Sequence, residues 1–259
     1  MRNDRYDGLN LNRTTKFVTY GTDAKTVKGQ KELNVVTGIQ YLAPSTESGI
    51  TNTCPDSTEG CEISCLFTSG RAEFDPAVND ARIFRTLVFV QAKPEYWTRV
   101  VKDIEALRRA STRKKMTPAV RMNGTSDLPY ERMKIKGTKY DGLTLMEAFP
   151  DVQFYDYTKT VKRLGNTPSN YYLVASYSER MTFSDVESIT SRGFNVAVVF
   201  RVCEHIGTCK CSLPTDWNGI EVLNGDKSDV RFMDKAGVIV GLKAKGQAKS
   251  DTKGFVVQI

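Results

Sequence analysis

Three cysteines fall within twelve residues, in Cys54-Pro-Asp-Ser-Thr-Glu-Gly-Cys61-Glu-Ile-Ser-Cys65. A short loop with three thiols offers the soft donors that zinc or an iron–sulfur cluster takes, with a fourth position filled from elsewhere or left open to substrate. A second group, Cys203-Glu-His205-Ile-Gly-Thr-Cys209-Lys-Cys211, offers the missing ligand through Cys209 or Cys211, or a small zinc site with His205. Reduced packing cysteines are the plain alternative for both groups. His205 is the only histidine in 259 residues, so Ser-His and Cys-His catalysis and multi-histidine metal centres are disfavoured. Carboxylate, lysine and thiolate chemistry remain.

Other polar residues follow apolar runs. Ser126 and Asp127 follow AVRMN, Asp156, Thr158 and Lys159 end or follow VQFYDY, and Glu179 follows YYLVASY. If those runs are parallel strands, these residues reach one rim of a sheet, where strand-to-helix loops build sites. Asp127, Lys159, Asp156 and Glu179 are then candidates for catalysis, and Ser126 and Thr158 for holding a cofactor. Ordinary loop capping explains each residue taken singly. Asp226, Asp229, Lys243 and Lys245, in a turn and a strand end further on, rank lower.

The charge is also concentrated. Arg99, Lys102, Arg108, Arg109, Arg113, Lys114 and Lys115 stand against only Asp103 and Glu105, in a chain of net charge +7. Such a run suits phosphates of a nucleic acid; a solvated helix face is the bland alternative. There is no phosphate-cradling GxxxxGK[ST] and no dinucleotide fingerprint, which disfavours triphosphate hydrolysis and NAD chemistry.

The elements that must position these residues are legible in the spacing. Asp75 and Pro76 cap and start a helix through Ala81, Phe84 and Val88. Trp97, Val100, Val101, Ile104 and Leu107 recur at helical spacing in the segment that follows, turning its basic residues outward. Apolar runs at 119, 152, 171, 195 and 237 read as strands buried on both faces. Ser184 and Glu187 predict a capping box for a short helix that Gly193 closes. Strand, helix, strand in that order points to parallel βαβ units. The expected fold is a single α/β domain over 35–259, a full or partial β/α barrel of mainly parallel strands, behind an arm or loose hairpin over 1–34. No stretch approaches the roughly 18 to 20 consecutive apolar residues of a membrane span, and MRNDRYDGLNLNR lacks the apolar core of a secretory signal. A soluble, membrane-free cytoplasmic protein is expected, where thiols stay reduced and clustered cysteines favour metal or catalysis.

TCPDSTEGCEISCLFTSGR, then VRMNGTSDLPYE, then FPDVQFYDYTKTV, resemble the bacteriophage proteins grouped as gene product 88 in order and approximate spacing over 50–165, and more loosely to about 211. This chain reads Asn-Gly-Thr-Ser-Asp where those relatives tend to have His-x-Ser-Gly-Asp. The family is also similar to radical SAM-type barrels in placing its cysteine loop before a series of strands. The resemblance implies a phage-encoded protein in the host cytoplasm and supports the site positions. The leading expectation is a phage protein with iron–sulfur or zinc on its cysteines that acts on nucleic acid or a nucleotide. The alternatives are a non-catalytic basic nucleic-acid-binding protein with structural cysteines, and a host-directed or virion-associated protein.

Overall fold

The computed structural model describes residues 9–21, 24–65, 74–202 and 211–259. Ten strands of the described residues form one sheet: β1 (Thr19–Tyr20), β2 (Val35–Ile39), β3 (Thr117–Arg121), β4 (Gln153–Thr158), β5 (Tyr171–Ser176), β6 (Val196–Arg201), β7 (Asp216–Trp217), β8 (Ile220–Asn224), β9 (Ile239–Lys243) and β10 (Val256–Gln258). The order is β1-β2-β3-β4-β5-β6-β9-β8-β7, with β10 joined to β6. The pairs β1–β2 and β7–β8 are antiparallel and every other pair is parallel. All strands from β2 to β6, with β8, β9 and β10, therefore end on the same edge.

The helices are α1 (Ala24–Leu33), α2 (Glu59–Ile63), α3 (Pro76–Gln91), α4 (Lys93–Lys114), α5 (Leu145–Ala148) and α6 (Phe183–Ser191). Asp75 caps α3 by accepting from the Ala77 amide, with Pro76 in the first turn, as the sequence predicts. The apolar stripe of α4 packs on β2 and β3. The capping box of α6 is Thr182 with Asp185, two residues before the expected pair, and Gly193 follows the helix with φ 84°. Thr182 wins because its side chain accepts from the Asp185 amide at 3.2 Å, whereas Ser184 already lies inside the turn.

Alternation along the strands buries both faces. Val36, Val120, Phe154, Leu173, Val198 and Ile239 face the helices and join the main core with Val88, Ile104 and Val186. Their neighbours Val35, Ala119 and Tyr155 pack under Val230 on the other face, and Val174, Ala197 and Val240 form a separate small cluster.

The expected barrel is not formed: the sheet is mixed and open. Its sequential strand order and helices on one face are those of a winding barrel, but β2 and β8 do not meet. Each is covered by a two-residue antiparallel strand, β1 or β7. A strap from β8 to β9, carrying Asp226, Asp229, Val230 and Phe232, crosses the second face as far as β3 and β4, so that face is covered without closure. The segment expected as an arm supplies β1 and α1, and its Phe17 and Val18 are fully buried. Among the described residues no helix is long and apolar enough to cross a membrane.

Candidate functional site at the carboxyl edge of the sheet

The cysteine loop leaves β2 and is fastened to the ends of the next three strands. Asp127 donates its amide to the Thr53 carbonyl at 2.9 Å, and Thr125 Oγ1 donates to the Leu42 carbonyl at 2.5 Å. Beyond β4, Thr160 Oγ1 donates to Asp56. Beyond β5, Glu179 accepts from Thr58 Oγ1 at 2.7 Å and from the Gly60 amide at 2.8 Å. Thr58 in turn caps α2, the helix that holds Cys61. Burial works to raise the Glu179 pKa, but the bonds from Thr58 and Gly60 overcome it and hold the carboxyl below its ordinary value. Gly60 has no room for a side chain, since a Cβ there would lie 2.7 Å from Phe255 Cβ and 3.1 Å from Glu179 Oε1.

A second network lies beneath this loop. Arg163, 4% exposed, donates from Nε and Nη2 to Glu131 at 2.9 Å and from Nη1 to Asp127 at 2.6 Å. Asp127 also accepts from Thr158 Oγ1 at 3.2 Å and the Lys159 amide at 2.8 Å. Burial raises its pKa against those donors. Asp156 is fully buried and accepts from the Asn123 amide at 2.8 Å and from Tyr171 Oη at 2.9 Å. Burial pushes its pKa up to about 7, opposed by Arg121 and these bonds. Ser126 Oγ donates to Asn123 Oδ1 at 2.8 Å and closes the turn after β3.

Between loop, sheet and strap lies a cavity of about 260 Å³. One wall carries Cys54, Cys61 and Cys65, and the floor is Tyr157, Ser176, Ala197, Val199 and Leu242 from the second face. The strand β10 makes room for it. Both β9 and β10 pair with Val199 and Phe200, so β10 occupies the edge of β6 that β5 leaves after Ala197. Phe255, just before β10, lines the cavity beneath the Lys159 ammonium, 4.8 Å from its ring centre. Lys159 Nζ also donates to Ser176 Oγ at 3.1 Å and the Tyr177 carbonyl at 3.0 Å, and reaches Cys61. Arg121 rises from the floor, 4.6 Å from the Tyr157 ring centre and 3.2 Å from Asp229. Burial works against its charge, but Asp229 prevails and keeps its pKa above the ordinary value.

The structure thus brings Cys54, Cys61, Cys65, Ser126, Asp127, Thr158 and Lys159 to one cavity. None of the three cysteines is in a disulfide, and burial raises the pKa of Cys54 and Cys61, in the latter case against the pull of Lys159. Among the described residues, no group of three His, Cys, Asp or Glu side chains is placed to hold a metal ion. Asp156 lies in the core below the cavity, and Glu179 fastens the cysteine loop from outside it. Cys211 is exposed and does not line the cavity, although its carbonyl accepts from Lys243 Nζ. Cys203, His205 and Cys209 lie outside the described residues.

The basic helix is divided. Arg99 pairs with Glu95 at 2.6 Å and donates to the carbonyls of Leu11 and Arg13. Arg108 pairs with Asp151 at 2.8 Å, and Arg109 with Glu105 at 4.0 Å. Lys102, Arg113, Lys114 and Lys115 are exposed, and among the described residues no ion pair engages them. The last three stand where α4 turns into β3, at the opposite edge from the cavity.

Sequence reasoning passed over Arg121, Arg163, Tyr157 and Phe255. Arg121 was detectable as a charge inside a strand otherwise fit for burial on both faces, which requires a partner. Arg163 and Phe255 stand in no pattern.

A model of the family described as Gene product 88 matches residues 13–259. The chain belongs to that family. This is the family that the three motifs resemble, and the match extends over nearly the whole chain and not the motifs alone. The likeness to radical SAM barrels is not part of this match. Searches of curated proteins and of solved structures find no match.

Proposed function

We propose that this Gene product 88 protein carries an iron–sulfur cluster or zinc on Cys54, Cys61 and Cys65, and acts on a nucleotide or nucleic acid held in the adjoining cavity during infection. The observation that carries this reading is the common wall: all three thiols of one loop line the same cavity as Lys159 and Asp127. The donor type suits either group, since clusters are held by cysteine thiolates and zinc takes them with a fourth ligand. The three thiols must draw together to share one ion, because among the described residues no three such side chains are placed to do so. Bound there, a cluster supplies electrons and zinc a polarised water.

This chain's own residues do the positioning. Glu179 and Thr58 fix the start of α2 and thereby Cys61. Asp127, braced by Arg163, holds the backbone of Lys159, and Lys159 points its ammonium across the thiol wall at bound ligand. Facing the thiols, Ala197, Val199 and Leu242 give the floor an apolar surface.

Purification without oxygen, visible absorption, and iron, zinc and sulfide per chain test the metal, beside a Cys54→Ala, Cys61→Ala, Cys65→Ala variant. Stoichiometric iron with sulfide, or stoichiometric zinc, lost in the variant is the expected result. A metal-free, stably folded native protein overturns it. A second reading, nucleic-acid binding without turnover, is favoured by the exposed Arg113, Lys114 and Lys115. Salt-sensitive binding lost on changing those three, with no metal present, would replace the first reading by the second.

A further inference from the structure

We infer that the cavity takes a small phosphate ester with a flat apolar body, of mononucleotide size, and that Lys159 and Lys243 receive its phosphate. The inference rests on the cavity reading above and names its ligand, but it needs no metal.

The charges around the cavity lead to it. Seven charged side chains line it: Arg121, Lys159, Lys243 and Lys245 against Asp127, Asp226 and Asp229. Asp229 pairs with Arg121 at 3.2 Å and Asp226 with Lys245 at 2.6 Å. Asp127 is answered from below by Arg163, which does not line the cavity. Lys159 and Lys243 remain, and both rest on uncharged acceptors. Lys159 holds the Ser176 hydroxyl and the Tyr177 carbonyl, and Lys243 the Cys211 carbonyl. Among the described residues no carboxylate lies at ion-pair distance from either.

Lys159 feels the carboxylates of Asp127 and Glu179 only from beyond ion-pair distance, and two partly buried cations facing one hollow without a paired carboxylate favour an anion from solution. The type of cation selects the anion. The charge of Arg121 is already met by Asp229 at 3.2 Å and Asp156 at 3.9 Å, whereas the two lysines are unpaired and act on phosphate as point charges.

The remaining surface selects the body of the ligand. Ala197, Val199 and Leu242 give an apolar floor, flanked by the rings of Tyr157 and Phe255. Phe255 packs against Lys159, so a ring laid on this floor has its charged substituent beside an ammonium. A hollow of about 260 Å³ lies near the lower end of small-molecule sites, roughly 300–1,000 Å³. It accommodates one nucleotide and not a strand passing through.

Isothermal titration of the full chain with adenosine monophosphate, with inorganic phosphate, and with paired 5′-phosphorylated and 5′-hydroxyl oligonucleotides tests this. The set is run on native protein and on Lys159→Gln, Lys243→Gln and, as a charge control at an exposed lysine that does not line the cavity, Lys136→Gln. The nucleotide is expected to bind, about tenfold or more weaker in each cavity variant and unchanged in the control. Competition by the 5′-phosphorylated oligonucleotide alone would identify a nucleic-acid end as a second source of the same phosphate. Failure of nucleotide and phosphate to bind native protein, or binding indifferent to both cavity lysines, overturns the inference. Should Lys159→Gln not fold, Lys243→Gln decides by itself. Metal measured in the same preparations separates the two readings: metal without nucleotide or phosphate binding breaks this inference, and with it the nucleotide substrate, but leaves the metal, whereas nucleotide binding without metal breaks only the metal reading.

Discussion

At the carboxyl edge of the sheet Arg163 is 4% exposed and its guanidinium is spent on Glu131, Asp127, Thr158 and Tyr171. At the amino edge Arg113, Lys114 and Lys115 stand in solvent behind two left-handed turns, Asn34 at φ 60° and Lys115 at φ 54°. The second edge holds the densest run of charge in the chain, yet the first holds the interlocked loops and the cavity. Where charges are dense and adjacent in sequence they repel and seek water. Where they are sparse and buried, each must find a partner from a distant loop, and the partnerships build a site. Among cations, isolation in an apolar context is therefore the better marker of a site than density.

That contrast can be broken most forcefully at Arg163. Arg163→Met strands Asp127 and Glu131 in the core, and urea unfolding should show a loss of about 3–5 kcal/mol. A loss near zero would mean that the network does not hold the carboxyl edge. Asp156 gives the next largest effect and one that depends on pH. Its folded pKa, about 7, lies above the ordinary carboxylate value, so its protonated form is the one the fold favours. The stability it contributes is full below about pH 4 and declines up to about pH 7, by at most ~1.4 kcal/mol per pH unit. Unfolding of Asp156→Asn from pH 4 to 8 should lose this part of the slope, and an unaltered slope would count against a buried acid there.

Gly60→Ala sharpens the comparison within the carboxyl edge. Its new methyl meets Phe255 and Glu179, and overpacking of this kind costs about 1–3 kcal/mol. Alkylation of Cys61 should quicken as α2 is pushed off its tether; unchanged reactivity would mean that the loop yields elsewhere. At the amino edge, by contrast, changing Arg113, Lys114 and Lys115 together to Gln should alter stability by no more than about 0.5 kcal/mol per residue. If nucleic acid binds there, the salt slope should fall by about 0.9 for each lost phosphate contact.

The sequence showed the helices α3 and α4 and the strands β3, β4, β5, β6 and β9, because period and capping are local signals. It also placed Ser126, Asp127, Thr158 and Lys159 on the correct rim, since parallel strands send every carboxyl end the same way. Closure was misjudged because sequential parallel strands look alike in a barrel and in an open sheet. Only the strap and the short antiparallel edges decide between the two, and neither carries a strong pattern. The roles of Asp156 and Glu179 were not legible for a related reason. A carboxylate after a strand turns into the core or towards a neighbouring loop according to partners such as Tyr171 or Thr58, which lie far away or in another segment. The basic run misled in the opposite direction, since nothing local reveals that Arg99 and Arg108 serve carbonyls and carboxylates of other segments.

The wedge made by β10 also bears on how the chain matures at the ribosome. Of the described strands β10 is synthesised after all others, and Lys253 beside it reaches back to Glu59 at the start of α2. A nascent chain can therefore pair β2 to β6 and pack its helices while the cavity still lacks Phe255 and the strand that widens it. The contacts of Lys253 and Phe255 with α2 span most of the length of the chain, and contacts of that range are slow to form, so the cavity is complete only when its last wall has met its first.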